Sequence, residues 1–357
     1  MIGSMRRGST AIRVVVWGLV LVIAALVGYI IVQSGALKDK PRIALVTADQ
    51  DEYWDAVIEG AQIAADRRKI DLTVRRATGD TAEQTRMIQE LIDQGYAAVA
   101  VSPVDSEKQA GDLRRFAGQI HLITLDSDSP LSNRLCFVGT DNYTAGRKAG
   151  ELIKQAIPEG GRVAIVVGSI RKANGRDRRQ GVIDELLDRS FDATRSPDAI
   201  DTELVGAKYT IAGTFVDDIN PEQATEILAE ALRNDPEIDA IVGLYGYSTP
   251  AALTALEQAG RLGSIPVVGF DYNERTLEGI EKGQVFGTIV QDQFHYGLRS
   301  IDILATVADA GADYAPLSQE IHYPTVQVTK GNLQQFRTDF LEKRDPASIA
   351  QLIAAGG

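Results

Sequence analysis

Short apolar runs rich in β-branched residues alternate along this chain with longer stretches whose apolar positions recur at helical spacing. The first pair lies within 41–65. Ile43-Ala44-Leu45-Val46 has the length and composition of a strand buried on both faces. Polar residues follow from Thr47 to Glu52, and then Trp54, Val57, Ile58, Ala61, Ala64 and Ala65 fall on one helical face. The unit recurs. Leu72-Thr73-Val74 predicts a strand, Met87, Ile88, Leu91 and Ile92 a helix, and Ala97 to Val101 a strand ending at Ser102. A helix with Leu113 and Phe116 precedes strands at Ile120 to Leu125, ending at Asp126, and at Leu135 to Val138, ending near Thr140, Asp141 and Asn142. Such alternation predicts parallel sheets flanked by helices, with right-handed crossovers.

The second half repeats the scheme. A helix bearing Ala145, Ala149, Leu152 and Ile153 leads to a strand at Val163 to Val167 and a polar loop from Gly168 to Gly175. Arg176, Asp177, Arg178 and Arg179 are expected to open the next helix. Further strands are expected at 209–212, at 240–243 before Tyr245, at 266–270 before Asp271 and at 286–290 before Gln291, and Pro221 marks a helix start. Two α/β lobes are implied. No Ser/Pro/Gly-rich linker separates them, so several short crossings are expected in place of one tether.

The amino end differs. Arg6, Arg7 and Arg13 precede an uncharged, mostly apolar run from Val14 to Val32, long enough to cross a bilayer. The basic residues predict a cytoplasmic segment over 1–13, with everything after Lys38 outside and 33–40 as a linker. Ser34-Gly35-Ala36 also fits a signal-peptide cleavage site, so a retained anchor and a cleaved signal both stand. No cysteine directly follows the run, which disfavours a lipid anchor. The formal net charge of −12 over 357 residues gives no footprint for nucleic acid. Cys136 alone excludes an intrachain disulfide and reads as a small buried hydrophobe.

The chemistry collects at the predicted strand ends. Asp51, Ser102, Asp126, Asp141, Asn142, Asp218, Tyr245, Asp271 and Gln291 lie there, with Arg176 at a helix start. In open α/β sheets ligands sit at the carboxyl ends of strands. Acids, amides and a guanidinium suit a neutral polyhydroxylated ligand, whose hydroxyls both donate and accept. Tyr53 and Trp54 would cover the C–H face of its ring. Each acid also has a plain reading as a helix cap, and Asp217 and Asp218 read as turn or capping residues before Pro221. Arginines are unfavourable at a positive helix end, which favours a functional Arg176. The three histidines form no metal motif, and no phosphate loop, nucleophile elbow or calcium loop is present. No catalytic residue, metal or cofactor is therefore expected.

PRIALVTADQDEYWDAVIEGAQIAAD, VAVSPVDS, HLITLDSD, VGTDNYTAGRKAG, GRDRRQG and PVVGFDYNERTLEGIEKGQVFGTIVQDQFHYG resemble successive blocks of the periplasmic sugar-binding proteins of ABC importers, the ribose- and galactose-binding group. The resemblance runs from about Pro41 to Lys330. It implies two Rossmann-like lobes of the type I periplasmic-binding-protein kind, closing on a monosaccharide. The N-terminal lobe would comprise 41–140 and 292–322, the C-terminal lobe 141–291 and 323–345, and 346–357 a tail. Crossings would lie near Thr140, Gln291 and Tyr323, with Thr140, Asp141 and Asn142 as hinge. The aromatic wall falls on Tyr53 and Trp54 beside Asp51, the hydroxyl-binding carboxylate on Asp126 and the second-lobe arginine on Arg176. Tyr245, Asp271 and Gln291 match the remaining polar contacts, and Ile219 falls where an aromatic often sits.

Ser127 stands where ribose binders commonly have Arg, and Tyr245 where Asn or Asp is frequent. A pentose, hexose or related polyol is therefore the expected ligand. The last stretch, from Gly331, lies beyond the resemblance, and Leu333, Phe336, Phe340 and Leu341 suggest a helix packed on a lobe. The implied role is extracytoplasmic capture by a monomer and delivery to ABC permease subunits. Presentation of the closed form to a receptor kinase is the alternative, because both use the same hinge closure. A sugar-responsive repressor would need a DNA-binding helix pair where this chain has its hydrophobic segment.

Overall fold

The computed structural model describes residues 16–26, 29 and 40–342. The chain divides into two compact units, 1–40 and 41–357. In the first, residues 16–26 form a helix, α1, whose side chains are exposed. No helix among the described residues is long and apolar enough to cross a membrane. The span expected over 14–32 extends beyond the described residues, as do the expected segment 1–13, most of the 33–40 linker and the 346–357 tail.

In the second unit the predicted alternation is found. β1 (Arg42–Val46), α2 (Tyr53–Arg68), β2 (Asp71–Arg75), α3 (Thr81–Asp93), β3 (Ala98–Val101), α4 (Ala110–Ala117), β4 (His121–Leu125) and β5 (Phe137–Gly139) build the first lobe. α5 (Asn142–Ala156), β6 (Gly161–Val167), α6 (Ala173–Leu186), β7 (Leu204–Val205), β8 (Tyr209–Val216), α7 (Pro221–Asn234), β9 (Ile238–Gly243), α8 (Ser248–Gln258), β10 (Val267–Phe270), α9 (Glu274–Lys282) and β11 (Gly287–Val290) build the second. α10 (Gln293–Ala310) and β12 (Glu320–His322) return to the first lobe, and β13 (Val326–Thr329) to the second.

The sheet orders are β12-β5-β4-β3-β1-β2 and β13-β11-β10-β9-β6-β8-β7. Within each, five adjacent parallel strands follow the same 2-1-3-4-5 order, so the repeat seen in the hydrophobic pattern is a repeat of topology. Only β7 and β13 pair antiparallel. The inner strands are buried because helices cover both faces. Ile43, Leu45, Val57 and Leu304 share one core, and Ala44, Val46, Ile88 and Phe116 the core on the opposite face.

Three short segments cross between the lobes: between β5 and α5, between β11 and α10, and between β12 and β13. They are tied together, since the Thr140 and Tyr296 hydroxyls lie 2.5 Å apart and Thr140 Oγ1 donates to the Tyr323 carbonyl at 3.2 Å. Asp141 caps α5 by accepting from the Thr144 N–H, as Asp80, Asn220, Asn273 and Asp292 cap α3, α7, α9 and α10.

In each lobe a helix pair meets backbone to backbone through glycine. A Cβ on Gly297 of α10 would lie 1.8 Å from the Val57 carbonyl oxygen of α2, and one on Gly181 of α6 would lie 2.1 Å from that of Tyr143 on α5. After β13, the segment expected to be a helix is one α-turn, Leu333–Gln335, continued as a π-helix over Phe336–Glu342. Phe336 and Phe340 bury themselves in the second-lobe core.

Candidate functional site

The strand ends of the two lobes face each other across a cavity. From the first lobe it is lined by Asp49, Asp51, Tyr53, Trp54 and Asp126, and from the second by Lys172, Asn174, Arg178, Ile219, Tyr245, Gly246, Tyr247, Asp271 and Gln291. Of the nine binding residues that the resemblance implies, all but Arg176 line it, whereas the further strand-end candidates Ser102, Asp141, Asn142 and Asp218 do not.

Two carboxylates occupy equivalent places. Asp126 follows β4 and Asp271 follows β10, and both adopt the left-handed region, at φ 61° and 55°. Their backbone N–H groups donate to Val138 and Ile289 of the neighbouring strand. The chain therefore turns at each strand end with the carboxylate held at the cavity. Asp126 accepts from the Tyr53 hydroxyl at 2.9 Å, Ser102 Oγ at 3.1 Å and Asn174 Nδ2 at 3.1 Å. Asp271 accepts from the Gln291 N–H and side chain at 3.2 and 2.9 Å and from Gln293 Nε2 at 2.9 Å. Every one of these partners is a donor, the arrangement an ionised carboxylate requires. Burial nevertheless pushes Asp271 up to about 6, moderated by the Arg178 guanidinium.

Tyr53 and Trp54 open α2, with rings edge to face at 5.2 Å. Asp51 accepts from the Tyr53 N–H at 2.7 Å, and burial raises its carboxyl above the usual range. Trp54 Nε1 donates to Asp49 at 2.7 Å. Asp49 also receives Lys172 Nζ at 2.7 Å, an ion pair that joins the lobes with the lysine 3% exposed. Burial alone would raise Asp49, but the Lys172 ammonium together with hydrogen bonds from Trp54 and the Asp51 N–H holds the carboxyl below its ordinary value. Lys172 is raised in turn, its burial offset by Asp49. The Asn174 to Asp126 bond also spans the lobes, as does the Ser106 N–H donating to the Arg171 carbonyl. The cleft is closed.

Arg176 is the exception among the expected residues. It pairs with Glu107 at 3.4 Å and donates to the Ile170 and Arg171 carbonyls, away from the cavity. The guanidinium in the site belongs to Arg178, which donates to Asn142 Oδ1 at 2.9 Å, the Leu244 carbonyl at 3.0 Å and Gln291 Oε1 at 2.7 Å. The physical reason is helical phase. α6 begins at Ala173, so Arg178 lies one turn beyond Asn174 on the same face, while Arg176 sits about 200° round from Asn174. Arg176 ends the first turn of α6, so the helix-dipole penalty falls on it without its serving the cavity. Of the expected hinge residues, Asn142 orients Arg178, Asp141 caps α5 and Thr140 ties the crossings.

Asp49, Lys172, Asn174, Arg178, Gly246 and Tyr247 are site residues that the sequence reading did not place there. Asn174 and Arg178 carry a signal in their four-residue spacing. Cys136 is buried, and burial pushes its thiol up to about 11. Among the described residues no group of three or more His, Cys, Asp or Glu could hold a metal ion.

Residues 43–313 match the periplasmic binding protein domain family. The ribose import binding protein RbsB of Salmonella typhimurium is 24% identical over 267 residues, covering 74% of this chain and 83% of its own length. The xylitol-binding protein of Mycolicibacterium smegmatis is 24% identical over 318 residues, 87% of this chain and 85% of its own. An ABC transporter solute-binding protein from Burkholderia graminis, solved with D-arabinose, superposes with a TM-score of 0.72 at 24% identity, covering 83% of this chain and 97% of that one. Another from Bacillus halodurans, solved with myo-inositol, gives a TM-score of 0.73 at 18% identity over the same shares.

Proposed function

Because this chain belongs to the periplasmic binding protein family, we propose that it captures a pentose, hexose or related polyol in the interlobe cavity and delivers the closed complex to the membrane subunits of an ABC importer. Members of this family are substrate-binding proteins of transporters, not enzymes, and they work outside the cytoplasm. The observation that carries the sugar reading is the wall composition. Two buried carboxylates, a guanidinium, an amide and the rings of Tyr53 and Trp54 face one closed space, which matches hydroxyls on one side and C–H faces on the other. Relatives named for ribose and xylitol support the same class.

In this reading the lobes comprise 41–140 with 292–322 and 141–291 with 323–345, hinged at Thr140, Asp141, Asn142, Gln291 and Tyr323. A monomer suffices, since the cavity is complete within one chain. The apolar run 14–32 would hold the protein at the outer face of the membrane or act as its export signal.

A thermal-shift panel of D-ribose, D-allose, D-arabinose, xylitol and myo-inositol tests the assignment. A ligand at one hundred times its Kd is expected to stabilise the fold by about 2.7 kcal/mol. A melting curve that no panel member moves would sink the sugar reading.

The pH dependence has a definite sign. Asp271 is raised to about 6, so its neutral form is favoured on folding; its contribution to apo stability is present near pH 4 and lost as pH rises through about 6. Binding runs the other way, because a sugar hydroxyl donates best to the carboxylate. Affinity is expected to be level above about pH 7 and to weaken below about pH 6. Calorimetric titrations at pH 5 to 8 check this, and a flat profile contradicts it.

A further inference from the structure

Behind the second-lobe wall lies a carboxylate that the sugar site does not use. Asp217 follows β8 and is 0% exposed. Its Oδ1 accepts from the Ile219 backbone N–H at 3.0 Å and from the Tyr247 hydroxyl at 2.5 Å, while its Oδ2 has no hydrogen-bond partner among the described residues. Burial pushes this carboxyl up to about 6.

The backbone just beyond Asp217 is unusual. Asp218 and Ile219 are consecutive non-glycine residues in the left-handed region, at φ 50° and 63°. For a β-branched residue this is an outlier, and it persists only where the surroundings over-determine it. Here the Ile219 N–H is claimed twice, by Asp217 Oδ1 and by the Gly168 carbonyl at 3.0 Å. The strained turn sets Ile219 against the cavity, and the same carboxylate fixes the Tyr247 ring beside it. Tyr247 spends its hydroxyl on Asp217 and Ile219 has no polar group, so this part of the wall meets a ligand through shape.

We propose that Asp217 is a positioning residue whose two hydrogen bonds hold Ile219 and Tyr247 as a rigid apolar wall, and that this wall determines ligand size. The inference rests on the sugar reading and deepens it: the discriminated feature is one carbon unit, as between a pentose and a hexose. An apolar wall distinguishes such a pair by roughly 10- to 200-fold.

The test is calorimetric titration of the full chain with D-ribose, D-arabinose, D-allose, xylitol and myo-inositol, comparing wild type with Asp217→Asn, Asp217→Ala, Tyr247→Phe and Tyr247→Ala. The readout is the ratio of affinities between larger and smaller ligands, which a uniformly damaged fold does not move. Asp217→Ala and Tyr247→Ala are expected to shift the ratio toward the larger ligands by about tenfold or more. Tyr247→Phe, which keeps the ring and loses its tether, is expected to fall between wild type and Tyr247→Ala. Asp217→Asn keeps a carbonyl oxygen for both donors and is expected to rescue the wild-type ratio. If Asp217→Ala does not fold, the two Tyr247 variants decide. Wild-type binding with an unchanged ratio in the alanine variants that fold overturns this inference alone. A wild type that binds none of the five overturns the sugar reading and this inference with it.

Discussion

Arg178→Ala is expected to abolish sugar-dependent stabilisation, whereas Arg176→Ala is expected to leave it intact. Arg178 is 2% exposed and its guanidinium joins three elements, meeting Asn142 of α5, the carbonyl of Leu244 beyond β9 and Gln291 beyond β11. Each terminal nitrogen donates once among the described residues, which leaves it a second hydrogen for a ligand. Truncation removes those donors and leaves three buried acceptors without partners, each costing about 1–3 kcal/mol. Those unpaired acceptors cost fold stability; the affinity loss comes from the two lost charge-assisted hydrogen bonds to the ligand, at about 1.5–3 kcal/mol each, and is about 100-fold or more. Arg176 makes its bonds at the half-exposed rim, where one ion pair contributes at most about 1 kcal/mol. Calorimetric titration of both variants with the tightest panel ligand decides the matter. Wild-type affinity in Arg178→Ala would mean that the cavity does not bind the sugar.

The second large effect falls on stability. Gly297→Val is expected to destabilise the fold by about 3 kcal/mol or more, the upper range for overpacking. Its Cβ would lie 1.8 Å from the Val57 carbonyl oxygen and 2.9 Å from the Ala61 nitrogen. These are backbone atoms, which cannot rotate away as a flexible side chain could. Separating α10 from α2 would also displace the site, because Tyr53 and Trp54 open α2 and the crossing at Gln291 leads into α10. Urea denaturation measures the loss, and a change within about 0.5 kcal/mol, the usual range for surface substitutions, would show that the close approach is not tight.

How much of this was legible in the sequence depends on the range of each interaction. Apolar runs such as Ile43 to Val46 and Val163 to Val167 identified buried parallel strands, and the polar residues after them identified the cavity, because a strand end places the next side chains at a predictable edge. The sequence does not mark the short strands β7, β12 and β13: β7 and β12 are half-buried or exposed and lack an apolar run, and in β13 the apolar run is broken by Gln327. The sequence does not separate Arg176 from Arg178, because the phase of a helix depends on its first residue. Ala173 and Asn174 read as loop. Lys172 and Asp49 lie 123 residues apart and meet only when the lobes close, so nothing local marks either one. The link from Asp217 to Tyr247 likewise joins the ends of β8 and β9, which flank β6 in the sheet, and is not a property of either segment alone.

The chain has two tryptophans, Trp17 and Trp54, and Trp54 lines the cavity. In a Trp17→Phe variant, titration with a ligand that raises the melting temperature reads the cavity directly through Trp54 emission. A saturable change in that emission, with the same midpoint as the stabilisation and lost in Asp271→Ala, is the predicted result. Stabilisation by the sugar with unchanged Trp54 emission, or undiminished in Asp271→Ala, would place the ligand elsewhere and contradict the account.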